Sequence, residues 1–162
     1  DIVRQEDFPL EKIIDAADMS TNLSKENIPG LSALIKDENP AIRYWGVTGL
    51  LNKGVDAAPA KDILLQAIND TCGTVAVVAA ECLYKLGEKE KAVKTFLRVL
   101  DNENQYLRVF ALNSVDYLQA EDQILKDKVL ELSGEENFSN NEYSSRMINN
   151  LLDKWGIDKN VN

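Results

Sequence analysis

Slid along itself by 33 residues, and then by 32, this chain meets its own pattern again. Asp37, Ile42, Gly46, Leu50 and Gly54 return as Asp70, Val75, Ala79, Leu83 and Gly87, and Asp70, Val75, Ala79 and Leu83 return as Asn102, Leu107, Ala111 and Val115. A period in this range belongs to stacked helical pairs or similar arrays, whose units are each too small to bury their own apolar face and so lean on their neighbours. No other feature of the sequence restricts the fold as much.

The repeated segments can be laid over one another slot by slot. Positions at spacing i, i+3, i+4, i+7, i+8, i+11 read Ile42, Trp45, Gly46, Gly49, Leu50, Lys53, then Val75, Val78, Ala79, Cys82, Leu83, Leu86, then Leu107, Phe110, Ala111, Ser114, Val115, Leu118. This is the apolar stripe of a helix, with Lys53 alone out of character. The third and fourth slots stay small, as expected where two helices cross closely. Trp45 shares its slot with Val78 and Phe110, which predicts a core position and a cost of about 3–5 kcal/mol for truncation to Ala. Tyr44, level with Val77 and Val109, is expected to face an adjacent unit.

Partner helices are predicted over Ala60 to Asn69 and Lys89 to Asp101, and Gly54 and Gly87 end helices where a left-handed residue is needed. Upstream, Pro9 opens a helix through Leu10, Ile13, Ile14 and Ala17, and Ile28, Leu31, Leu34 and Ile35 form the next stripe. Asn39-Pro40 marks a turn, with a helix restarting at Ala41. Beyond Leu118 the repeat blurs: Ile124, Val129, Leu130 and Leu132 suggest one helix, Ser133 to Asn141 a polar loop, and Met147, Ile148, Leu151, Leu152 and Trp155 a last amphipathic helix. This divides the chain into a lead-in with the first helix (1–26), the repeats (27–118), a degenerate C-terminal helical pair (119–156) and a tail (157–162) expected to fray.

Composition narrows the chemistry. With 162 residues, 44% apolar and 28% charged, the chain can form one domain with a real core. Its 18 basic and 27 acidic side chains give a net charge of -9, a field that repels phosphate backbones and anionic membranes, so nucleic acid is disfavoured as a partner. The absence of histidine removes the commonest general base and zinc ligand. Cys72 and Cys82 stand ten positions apart, which along a helix separates their Cα atoms by about 12–15 Å, so free thiols are expected. No apolar run is long enough to span a membrane, and no calcium-loop, phosphate-loop or nucleophile-elbow spacing occurs, so no metal or cofactor is implied. The chain opens on Asp1 without Met or a signal-peptide pattern, as expected of a processed protein or a piece of a longer one.

Asp37 and Arg43 stand six apart, as do Asn102 and Arg108, while Asp70 and Ala76 keep the acid and lose the base. In this the chain resembles a HEAT-repeat array, whose pattern has an Asp at the turn within each repeat and an Arg six later, laddered between neighbouring repeats. Ala76 leaves a gap in that ladder. A rung between Arg43 and Asp70 contributes a few kcal/mol only where it is well hydrogen-bonded and partly buried. Paired carboxylates such as Asp37-Glu38 and Glu135-Glu136 fall in turns or on polar faces, where solvated charge is the ordinary reading.

The candidate interaction surface is the set of outward slots on the repeated helices, Thr48, Asn52, Glu81, Lys85, Asn113 and Tyr117, joined by Arg43, Tyr44 and Arg108. The six outward slots, mixed polar with one aromatic, suit contact with protein better than with nucleic acid. Arg4-Gln5, Phe8-Pro9-Leu10, Ile13-Ile14, Leu34-Ile35-Lys36-Asp37, Pro40 through Gly46 and Ala111-Leu112-Asn113 together make residues 1 to 118 similar to the C-terminal helical extension of some secreted bacterial sulfatases. That resemblance implies a non-catalytic module on a periplasmic or secreted enzyme acting on sulfated glycans. The nucleophile motif of that family, Cys or Ser with Pro two later and Arg two after that, is not found at Cys72 or Cys82, so no active-site residue carries over.

The expectation is therefore an all-α, α-α superhelix: a right-handed, HEAT-like solenoid of eight or nine antiparallel helices that binds protein, either its own upstream catalytic domain or another subunit. The alternative is a free-standing HEAT adaptor or lyase-like protein that holds a small molecule in its concave face. An enzyme in its own right would need carboxylates converging across repeats, and the outward slots offer Glu81 alone.

Overall fold

The computed structural model describes residues 8–134 and 143–158. Among these residues the protein is all-helical, without a strand. The helices are α1 (Leu10–Thr21), α2 (Ile28–Leu34), α3 (Pro40–Asn52), α4 (Lys61–Ala67) and α5 (Gly73–Lys85), then α6 (Lys89–Leu100), α7 (Gln105–Tyr117), α8 (Gln123–Ser133) and α9 (Tyr143–Trp155). Two short 3-10 segments, Lys25–Asn27 and Gly54–Ala60, precede α2 and α4.

The same local chemistry starts each repeated helix. The side-chain oxygen of Asp37, Asp70 or Asn102 accepts the N–H two residues on, at 2.8, 2.7 and 2.9 Å. Such Asx turns hold the chain open ahead of a helix. Asn39 and Asn104 then cap α3 and α7 by accepting from Ala41 and Tyr106 at 2.8 and 3.0 Å, and Pro40 fills the first helical position, where its missing N–H is not needed. At the head of α5 the cap place falls to Cys72, whose Sγ lies 3.2 Å from Thr74 Oγ1. Gly54 and Gly87 terminate α3 and α5 with φ of +58° and +89°, as the sequence requires.

Helices α1, α3, α5, α7 and α9 pack successively against one another. On the other side, α2 lies against α3, α4 against α5, α6 against α5 and α7, and α8 against α6 and α9. The small slots serve the close crossings expected of them. A Cβ at Gly46 would stand 2.9 Å from the Leu31 carbonyl oxygen, and one at Gly49 would run into the Leu31 side chain and meet Ser20 Cα at 3.0 Å. Glycine there lets α3 sit against α1 and α2 at once.

Two apolar clusters form the interior. One gathers Leu31, Val47, Leu50, Leu64, Val78 and Leu83 from α2 to α5, and the other Val77, Phe96, Leu100, Leu112, Val129 and Leu151 from α5 to α9. Helix α5 belongs to both. Each residue from Val75 to Leu83 is buried, so this helix has no solvent face in that stretch, as a member flanked on all sides must. Each fully buried large side chain of this kind contributes about 1.5–3 kcal/mol.

Several boundaries and positions differ from the sequence reading. Pro9 flanks α1 and the helix begins at Leu10. Helix α4 is shorter than Ala60 to Asn69, because Gly54–Ala60, with Pro59 inside it, winds as a 3-10 helix. In α8 Leu125 joins Val129 and Leu132 in the core, while Ile124 is 60% exposed. Trp45 is partly buried and outside both clusters, its ring meeting that of Tyr44 edge-on at 5.5 Å. It is not a core residue. Slot identity fixes a direction on the helix and not a depth: Val78 is buried, while Trp45 and Phe110 in the same slot are only partly so. Lys53, the odd residue of its stripe, is buried at 7% exposure and its ammonium donates to the Asn22 carbonyl oxygen. The polar loop read over Ser133 to Asn141 and the tail from 159 fall largely outside the described residues; Ser133 itself ends α8, and Ile157 packs on the second cluster.

Candidate interaction surface

Arg43 makes the rung that the spacing suggested. Its Nε and Nη2 donate to the two carboxylate oxygens of Asp70 at 2.7 Å each, while Nη1 donates to the carbonyl oxygens of Asp37 and Glu38 at 3.0 and 2.8 Å. One guanidinium thereby ties its own turn to the next repeat's turn. The side chains are 14% and 10% exposed, so the pair is largely shielded from water. The hydrogen bond to Asp70 raises the Arg43 pKa above its ordinary value against the cost of burial. Burial works against ionisation of Asp70, yet the hydrogen bonds from Arg43 and the Cys72 amide outweigh it and hold that carboxyl below the usual range.

The outward slots divide into two groups. Asn52, Lys85, Asn113 and Tyr117 are exposed. The Asn52 amide donates to the Ser20 carbonyl oxygen on α1 at 3.2 Å. Lys85 Nζ lies 3.2 Å from the Tyr117 hydroxyl and 4.5 Å from the centre of its ring, so an ammonium and an aromatic face meet across α5 and α7. Tyr44 and Arg108 are partly buried, and Tyr44 packs on the first cluster.

Thr48 and Glu81 do not belong to an open surface. Thr48 is partly buried with its hydroxyl enclosed and unpartnered. Glu81 is buried, and its Oε2 accepts from Ser114 Oγ at 3.1 Å. Burial pushes the Glu81 carboxyl above its usual range, opposed by that hydrogen bond and by Lys85. The misplacement has a geometric source: a period of 3.6 separates one buried face from one wet face, and α5 is covered on both. The sequence reading assigned Ser114 to a small crossing slot and missed its hydroxyl as a partner. The signal available was a carboxylate on one helix and a hydroxyl 33 residues on, one period away.

Other charged and thiol groups join neighbouring helices or lie buried between them. Glu88, at the head of α6, accepts from Lys61 and Lys91, whose hydrogen bonds lower its pKa to about 2. Burial pushes the Cys82 thiol up to about 12, so it stays protonated and unreactive at neutral pH. Both cysteines are free. Among the described residues no group of three or more Cys, Asp or Glu side chains is placed to hold a metal ion, and no helix is long and apolar enough to cross a membrane. In sequence, no protein-family model matches this chain, and no curated protein matches it.

Proposed function

We propose that this chain is a non-catalytic interaction and scaffold module of HEAT-like, superhelical form. The observation that carries this reading is where the polar side chains of the repeated helices are engaged. Arg43 reaches Asp70 of the next unit, 27 residues on, and Asn52 with Ser20, Lys85 with Tyr117 and Glu81 with Ser114 are separated by 32, 32 and 33 residues, one period each. Side chains used this way hold one unit to the next and leave a surface behind. They do not converge on a bond to be broken.

The resemblance to the extension of secreted bacterial sulfatases supports a more specific form of the proposal, in which the module packs against its own upstream catalytic domain or a second subunit, in a periplasmic or secreted enzyme. Helix α1 supplies a suitable edge. Phe8, Leu10 and Ile14 are 59%, 56% and 50% exposed, an apolar patch at the first position of the array, where a further unit would pack.

The purified chain is expected to release no nitrophenol from 4-nitrophenyl sulfate or 4-nitrophenyl phosphate above the buffer rate. Turnover that scales with protein and survives repurification overturns the scaffold reading. The sulfatase form is tested by the reading frame ahead of Asp1: a Cys or Ser with Pro two later and Arg two after that supports it, and a start codon with a short leader refutes it.

A further inference from the structure

Three of the described helices end on a glycine in the left-handed conformation: α3 on Gly54, α5 on Gly87 and α9 on Gly156, with φ of +58°, +89° and +66°. Helix α7 ends the same way on Gln119, with φ of +50°, and among the described residues no other non-glycine has a positive φ. Helices α5, α7 and α9 share the backbone pattern. The N–H after the left-handed residue reaches back five residues, from Ala120 to Val115 at 3.1 Å, as from Glu88 to Leu83 and from Ile157 to Leu152, both at 2.9 Å. Glutamine has no short side chain to ease this conformation, so its Cβ is kept there at a cost that glycine avoids in the equivalent place.

The Gln119 side chain lines a cleft of about 330 Å³ between the C-terminal ends of α7 and α9. Its floor is Val115 and Leu151, both fully buried, and Asp116, Lys154 and Trp155 stand around it with Glu121. Lys154 Nζ lies 2.5 Å from the Asp116 carboxylate. Lys126 Nζ lies 3.2 Å from the Glu121 carboxylate and 5.7 Å from the centre of the Trp155 ring. Each carboxylate thus has its own ammonium, and the cleft carries no net charge to attract an ion.

What remains is an aromatic wall beside alternating donors and acceptors: ammonium N–H, carboxylate oxygen, and an amide that offers both. That is the complement of a sugar ring, with C–H groups on its faces and hydroxyls around its edge. The volume sits at the lower end of the range for small-molecule sites, the size of one or two such rings. We infer that this cleft is a binding subsite for a neutral saccharide, stacked on Trp155 and hydrogen-bonded by Gln119, Asp116 and Lys154. The inference does not rest on the scaffold reading: hydrolysis by the purified chain would remove that reading and leave this one standing.

The test is a two-dimensional amide NMR titration of the full chain with glucose, N-acetylglucosamine, lactose and maltose at millimolar concentration, with choline chloride alongside. At least one saccharide is expected to shift the Trp155 indole N–H and the Gln119 amide saturably, and choline to shift neither. Gln119→Gly is the decisive variant, since it should bind at least tenfold more weakly while its thermal midpoint rises, a pairing that loss of folding cannot produce. Trp155→Ala should abolish the saturable shift of the Gln119 amide. Silence with all four sugars, a response to choline alone, or wild-type binding by Gln119→Gly each overturns the inference.

Discussion

Single residues in this protein are chosen by how closely two backbones must approach and by what a buried polar atom can reach. At Gly49 an added methyl has no room, because the obstruction includes Ser20 Cα as well as the Leu31 side chain. Gly49→Ala should therefore destabilise the fold by about 1–3 kcal/mol through overpacking, seen as a lower urea midpoint at unchanged slope. Glu81 shows the opposite relation between sequence and stability. Its folded-state pKa is raised by burial, so the native protein holds that proton more tightly than the unfolded chain does. The resulting stabilisation is complete below the unfolded value of 4.5 and is lost as pH rises through the higher folded value. Glu81→Gln, which keeps an acceptor for Ser114, should match the wild type near pH 4 and exceed it at pH 7 in urea titrations. Greater stability of the wild type at pH 7 would show that the ionised carboxylate is well accommodated.

At the scale of helices, what could be read from the chain is what local chemistry decides. Asx turns at Asp37, Asp70 and Asn102, caps at Asn39 and Asn104, and left-handed glycines at 54 and 87 involve neighbours within a few residues, so spacing alone reveals them. The faces of α5 were not legible, because periodicity presumes one wet side. Nor was the depth of Trp45, or the pairing of Glu81 with Ser114, which depends on how α5 meets α7. The cleft at Gln119 left a trace in the sequence, a glutamine where units one and two carry glycine, though its meaning needs the left-handed φ to be seen. The rung between α3 and α5 was legible from the six-residue spacing, and it makes an element-scale prediction. A double-mutant cycle on Arg43→Ala and Asp70→Ala should give a coupling of about 1.5–3 kcal/mol, as for a charge-assisted, two-point pair. Because the folded pKa of Asp70 is lowered, this coupling is present above the unfolded value of 3.8 and disappears only as pH falls through the lower folded value. A coupling near zero at pH 7 would demote the rung to an incidental contact.

In the whole molecule the two apolar clusters form one mechanical unit, because α5 belongs to both. Neither half can then be loosened without the other, as in short repeat arrays whose units stabilise one another across shared interfaces. Phe96 on α6 is fully buried in the second cluster, far in sequence from α3, and Phe96→Ala should cost about 3–5 kcal/mol. The direct test is amide hydrogen exchange on that variant, followed helix by helix. If α5 couples the array, protection falls in α3 and α4 together with α6 and α7. Wild-type protection in α3 and α4, with the loss confined to α6 through α9, would contradict a continuous seam and divide the chain into two independent bodies.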